Sequence, residues 1–279
     1  MTMSTVNKSL PKFSALNIPM ALVIAVAFSI MLSVCFNLLF TLTPWAGNSI
    51  HHLLGSGLNG MVISPAIYAL AIWGIIYLGL FAMVAYQFGV GCHPRANHER
   101  WHEPEFQSIN RYLIGISIGQ ILWSHFFAAQ QLNLAIVAMA VVLLLLIVIY
   151  RVLHDRIVWA SSRRLWLCHA PISLYLSWAS ILMVLTIATT LHRAGWQSAG
   201  IIWGTTVLCV LTLLSGLFIL TYRDILFALG LVWGLVMVAI QQRDVAMIDS
   251  IALFLAFALI LWSIWIKNPR FPRRLYYYY

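Results

Sequence analysis

Little in this chain is suited to face water. Of 279 residues only seven are acidic and sixteen are lysine or arginine, 8% charged in all against 62% hydrophobic. With a mean hydropathy of +0.92, the polar surface is too small to clothe a soluble globule, and a lipid solvent is implied. Short alternating strands are missing too. The apolar runs are about 20 residues long, and backbone groups in lipid must be satisfied within the segment or in a closed barrel, so helices are favoured over a barrel. The cysteines are few: Cys35, Cys92, Cys168 and Cys209 form no CxxC pair and read as free thiols. There is no GxSxG, no HExxH, no pair of intramembrane aspartates and no nucleotide loop, so hydrolytic and nucleotide chemistry find no support. The formal charge of +9 does not argue for nucleic acid, because the basic residues fall in short inter-helix loops rather than in one stripe.

What is present is a series of apolar runs. They predict eight transmembrane helices near 20–42, 65–87, 109–130, 132–153, 170–191, 200–221, 225–241 and 250–266. Several starts carry helix chemistry: Ser64-Pro65 reads as a cap plus first-turn proline, Pro171 does the same, and Asp224 and Asp249 each precede an apolar run. The least marked divisions are the turn near Gln131 and that at Tyr222-Arg223-Asp224. The first run follows Lys8 and Lys12 but is too long for a secretion signal and has no clear A-x-A site, so it reads as a retained span. No linker or soluble domain is visible, and residues 1–279 read as a single membrane domain. The closing Arg273-Arg274 and four tyrosines carry no reading beyond interfacial anchoring.

With a cytoplasmic N-terminus, one side collects Lys8, Lys12, Arg95, Arg100, Arg111, Arg151, Arg156, Arg163, Arg164, Arg223, Lys267, Arg270, Arg273 and Arg274, and the other keeps only Arg193 and Arg243. That split suits an even number of spans with both termini inside, as in a bacterial inner membrane or, equally, a plastid or other organelle membrane. By these boundaries no Asp, Glu, Lys or Arg lies well inside a span. Ion-coupled transporters and pumps place an ionisable group near the midplane, so the pattern counts against that class but not against passive passage.

The spans carry aromatic residues instead. Of twelve tryptophans, Trp45, Trp101, Trp159, Trp166, Trp196, Trp203, Trp262 and Trp265 fall near span ends and read as an interfacial belt, whereas Trp73, Trp123, Trp178 and Trp233 lie deeper. A deep indole N–H needs a partner, and its flat ring suits close packing or a flat ligand. His125 has two readings: a neutral imidazole ligating the metal of a haem or chlorophyll, or a packed histidine bonded to a neighbouring helix. His169 lies near the inner face by the same topology and cannot share one metal with His125, which removes a bis-histidine haem. Cys92, His93, His98 and His102 crowd one loop with Glu99, Glu103 and Glu105, a pattern that a solvated amphipathic turn explains as well as a metal site does. His51-His52 is a weaker case, and no metal ligands are assigned.

Three segments resemble the TspO/MBR family, the tryptophan-rich sensory proteins that include the translocator protein. Ser64-Pro65 through Tyr68, Trp73 and Tyr77 is similar to the family's second-helix signature. Gln120, Trp123, His125, Phe126 and Phe127 with Ala135 resemble its Asn-x-x-Trp…Phe-Phe…Ala segment, and Pro171, Tyr175, Trp178 and Ala179 its proline, aromatic and tryptophan motif in the fifth helix. The matching stretch, 20–191, is the five-helix core of the family, and 200–266 supplies three additional helices, as in a longer eight-helix branch. Departures are Met61-Val62-Ile63 where the short form has a tryptophan and a second proline, Ile67 and Leu134 where tryptophan is usual, and Gln120 for asparagine.

The resemblance implies a helical bundle around a pocket for flat hydrophobic ligands such as porphyrins and sterols, capped by the loop after the first helix. Tyr68, Trp73, Tyr77, Gln120, Trp123, His125, Phe127, Tyr175 and Trp178 would bind the ligand. At 1.5 Å per residue, Trp73 lies about 12 Å below Pro65 and Trp123 about 11 Å or less from the outer end of its span, beneath loop 43–64. The expected function is that of a ligand-binding or sensory membrane protein for a tetrapyrrole (haem, porphyrin or chlorophyll-type) or other flat lipophile. Alternatives are an accessory subunit of a larger, pigment-containing assembly, a porphyrin-degrading enzyme, and a sterol or lipid carrier. Catalysis is not demanded by any motif. The partners are membrane lipids, the hydrophobic ligand, and further copies of the chain or a larger membrane complex, without nucleic acid.

Overall fold

The computed structural model describes residues 18–44, 49–55, 63–91, 104–155, 165–195 and 200–266, and all regular structure among them is helical. Eight helices of 17 to 25 residues dominate: α1 (Ile18–Leu42), α3 (Ile72–Gly91), α4 (Pro104–Ala128), α5 (Leu132–Asp155), α6 (Ala170–Arg193), α7 (Gly200–Tyr222), α8 (Ile225–Gln241) and α9 (Ala246–Ile266). A short helix α2 (Ile50–Gly55) follows α1, a 3-10 turn (Ile67–Ala71) leads into α3, and a π turn (Leu165–His169) leads into α6.

Six of the long helices are long and apolar enough to cross a membrane, namely α1, α3, α5, α6, α7 and α9. The two that fall short do so for different reasons. Helix α8 has only 17 residues, while α4 has 25 but opens on polar residues that include Gln107, Ser108, Asn110 and Arg111. The expected Cys92 to His102 cluster, Trp45, Trp101, Trp159, Trp196, the tyrosine run and most of the basic residues behind the charge asymmetry lie outside the described residues.

Two helix starts differ from the sequence reading. Helix α9 begins at Ala246, so Asp249 sits in its first turn and bonds to Ser250 rather than preceding the helix. Ser64-Pro65 is not a cap with a first-turn proline: the residue flanking the 3-10 turn is Ala66, and the buried Ser64 hydroxyl has no hydrogen-bond partner among the described residues. Asp224 does cap its helix, its Oδ1 accepting from the Leu226 and Phe227 N–H groups at 2.9 and 3.2 Å. The two least marked divisions are tight turns. Each is closed by a non-glycine residue at positive φ, Gln130 at 61° and Arg223 at 54°. After α4 the Gln131 N–H reaches back to the Phe126 carbonyl at 2.8 Å, the long-reach bond that ends a helix through a left-handed residue.

Helix α6 lies at the centre. Its apolar window is 72% buried against 17% for α7, the least buried of the spanning helices. Around it stand α3, α5 and α8, with α1 and α4 packed on α3 and α5, and α9 and α7 outside α8. Lipid offers no hydrophobic drive between apolar helices, so close approach matters. Gly230 and Gly234 supply it: a Cβ at Gly230 would meet the Ser177 hydroxyl, and one at Gly234 would lie 2.5 Å from Ile181 Cδ1. The pairs Asp224 with Ser173, Gly230 with Ser177 and Gly234 with Ile181 ascend together, so α6 and α8 run parallel. The last three helices are thus joined to the bundle through its most buried helix.

Candidate functional site

The aromatic residues singled out in sequence gather at the end of the bundle where α2 and the 3-10 turn lie. Pro65 and the turn bring α3 in so that Trp73 and Tyr77, one helical turn apart, stack with centroids 5.3 Å apart, and Trp73 meets the edge of Tyr175 on α6 at 5.5 Å. Trp123 and Phe127, again one turn apart on α4, stack at 5.3 Å. Trp178 lies fully buried beside them.

Between Trp123, Phe127, Trp178, Pro65 and Leu185 is a small cavity, with Ile50 of α2 as part of its lining. Ile50 is the one described residue between α1 and Ser64 that lines it. The cavity's free volume is about 10 Å³, room for one water. A ring system enters only by parting these side chains.

Polar groups tie the aromatic walls together. Tyr175 donates to Gln120 Oε1 at 3.3 Å, the Tyr77 and Ser33 hydroxyls share a bond of 3.3 Å, and the Trp123 indole donates to Thr186 Oγ1 at 3.1 Å. The Trp178 indole N–H is the exception: it is buried and has no hydrogen-bond acceptor among the described residues. A buried donor left unpaired costs about 1–3 kcal/mol, and a ligand carrying an acceptor would recover that cost.

Seven of the nine expected site residues, Trp73, Tyr77, Gln120, Trp123, Phe127, Tyr175 and Trp178, are buried. Tyr68 stands apart. It is 69% exposed on the outer side of the 3-10 turn, because the tight turn places it away from Trp73. His125 is partly exposed and turns to α1, its ring 5.4 Å from Phe40 and 5.5 Å from Phe126, not toward Trp178.

The structure also shows a second cluster, at the opposite end, which the sequence reading did not assemble. The buried Asp224 carboxylate, besides capping α8, accepts at Oδ2 from Ser173 on α6 at 2.6 Å and from Tyr150 on α5 at 2.9 Å. His169 Nδ1 is 3.9 Å from the same oxygen, and the His169 and His154 rings lie 6.1 Å apart. Among the described residues, no group of three such side chains has a metal-binding arrangement. The signal available in sequence was an aspartate at a helix start, with a tyrosine, a serine and two histidines near other helix ends, and only the cap could be read locally.

Six membrane-length apolar helices in one bundle define an integral, multi-pass helical membrane protein. The chain belongs to the family of TSPO-like proteins, whose family model matches residues 23–265. The resemblance read from three helices is borne out, and the match runs on through α7, α8 and most of α9. Membership points to a ligand-binding or sensory membrane protein. No curated protein and no solved structure matches the chain.

Proposed function

We propose that this protein binds a tetrapyrrole or another flat lipophile between α3, α4 and α6, against Trp73, Tyr77, Trp123, Phe127, Tyr175 and Trp178. The observation that carries the reading is the Trp178 N–H, buried without an acceptor among the described residues and beside stacked aromatic rings. A flat ligand with a carbonyl, carboxylate or ring-nitrogen acceptor meets both features: its faces replace ring-on-ring contacts, and its acceptor takes the free donor. The binding step requires the Trp123-Phe127 and Trp73-Tyr77 stacks to separate, with α2 as the cover that moves. In this reading all eight long helices cross the membrane, residues 20–191 form the ligand-binding core, 200–266 form an added three-helix unit, and both termini are cytoplasmic.

The test is a titration of the detergent-purified protein with protoporphyrin and haem, following ligand absorbance and tryptophan fluorescence. Saturable quenching at micromolar ligand, weakened in Trp178→Phe and Trp73→Ala, is the expected result. Linear, unsaturable quenching would overturn the reading and favour an accessory subunit or a lipid carrier.

A further inference from the structure

A second cavity lies between α6, α7 and α8, with a free volume of about 30 Å³ and a lining that is entirely aliphatic. Val184 of α6, Val207 and Leu211 of α7, and Leu235 of α8 form its walls. Pro65 and Leu185 line it as well, and both also line the aromatic cavity. The two cavities therefore meet across these two side chains. They differ in chemistry: one is lined by the aromatic rings of Trp123, Phe127 and Trp178, the other by no aromatic and no polar side chain.

Three of the second cavity's lining residues, Val207, Leu208 and Leu211, lie on α7, the least buried of the spanning helices. Helix α7 makes its main contacts with α9 and α8 and touches α6 only slightly. Helix α8 cannot shift in the same way, since Gly230 and Gly234 hold it against α6. At about 30 Å³ the space is far smaller than a hydrocarbon chain, so a chain would enter only by displacing α7, the wall with the fewest contacts to α6.

We propose that the cleft between α6, α7 and α8, joined to the aromatic pocket at Pro65 and Leu185, holds the aliphatic chain of a ligand whose flat ring occupies the aromatic pocket. The ligand class is a ring system bearing a long saturated or branched hydrocarbon tail. This inference rests on the ring pocket proposed above and specifies its ligand. Purely aliphatic walls accept a flexible chain without asking for a hydrogen bond, and a tail anchored through the ring has an advantage over a free lipid because only one body has to be ordered.

The experiment compares the methyl and hexadecyl esters of pheophorbide, titrated into the full chain at fixed detergent concentration with tryptophan fluorescence as readout. The hexadecyl ester should bind at least about tenfold tighter. Leu211→Trp, which fills the cleft from the α7 side, and Val207→Phe should abolish that difference while leaving methyl ester affinity unchanged. The unchanged methyl ester also shows that the variants are folded. Equal, saturable affinities for the two esters would overturn the tail cleft and leave the ring pocket standing. A difference that persists in both variants would also overturn it, since it would then reflect partition into detergent. Saturable binding of neither ester would remove the ring pocket and the cleft with it.

Discussion

At the end of the bundle near α2, rings crowd together and the Trp178 N–H, like the Ser64 hydroxyl, has no hydrogen-bond partner among the described residues. At the opposite end the Asp224 carboxylate accepts from two backbone N–H groups and from the Tyr150 and Ser173 hydroxyls. The same chain therefore saturates the charge at one end, where among the described residues only ring nitrogens such as His169 Nε2 stay unpaired beside it, and leaves a neutral donor open at the other. A buried ion left unpaired costs far more than a buried indole, so the first had to be solved within the fold. The second is affordable as a site held ready for something else. The polar end joins α5, α6 and α8 and is read here as structure; the aromatic end is read as function. Substitutions that affect stability at one end and binding at the other test this division.

The largest effect belongs to Asp224→Ala. It strips the cap from α8 and leaves the Tyr150 and Ser173 hydroxyls without their acceptor, for a loss of about 3 kcal/mol or more. Thermal unfolding in detergent should show a clear drop in midpoint, and Asp224→Asn, which keeps a capping oxygen, a smaller one. An unchanged midpoint would mean that the cluster is not what holds α8 to α5 and α6. Gly230→Ala comes next. Its new methyl meets Ser177, and overpacking of this kind costs about 1–3 kcal/mol. Stability should fall while ligand affinity for the folded fraction stays near that of the parent, because the collision lies behind the pocket rather than in it.

Trp178→Phe should reverse the pattern. Losing the larger ring opens space, but it also removes a buried donor that has no partner, and the two changes offset each other to within about 1 kcal/mol. Binding should weaken by about tenfold, since the ligand loses its hydrogen bond. A variant that melts early and binds normally would place Trp178 with the structural residues. Thr186→Val is subtler: it takes the acceptor from the Trp123 indole and should cost about 1 kcal/mol in stability. With Trp123 then as unpaired as Trp178, affinity for acceptor-bearing ligands should hold or rise.

The difference between the two ends also explains what the sequence could reveal. The long helices and the aromatic set on α3, α4 and α6 were legible because lipid demands unbroken apolar runs and because Trp73, Tyr77, Trp123 and Phe127 pair one turn apart along single helices. The role of α8 was not. Its partners Ser177, Ile181 and Ala69 are distant in sequence, and Gly230 and Gly234 show their purpose only when α6 is seen against them. Asp224 was read correctly as a cap, yet its second oxygen serves two other helices, which no local pattern encodes. Tyr68 lies apart from the other rings for a related reason. Its spacing from Trp73 puts the two residues on different faces once the 3-10 turn replaces the first turn of an α-helix.

Tyr68→Ala is accordingly the substitution expected to do least, and its value lies in that. At 69% exposure the ring reaches away from the aromatic cavity, and truncating it removes neither a core contact nor a hydrogen bond to the pocket. The melting midpoint and the titration midpoint should both match the parent within error. If binding nevertheless weakens with stability intact, the ligand approaches over the outer face of the 3-10 turn. The route past α2 would then give way to a lateral one between Tyr68 and the lipid, with Pro65 as its threshold.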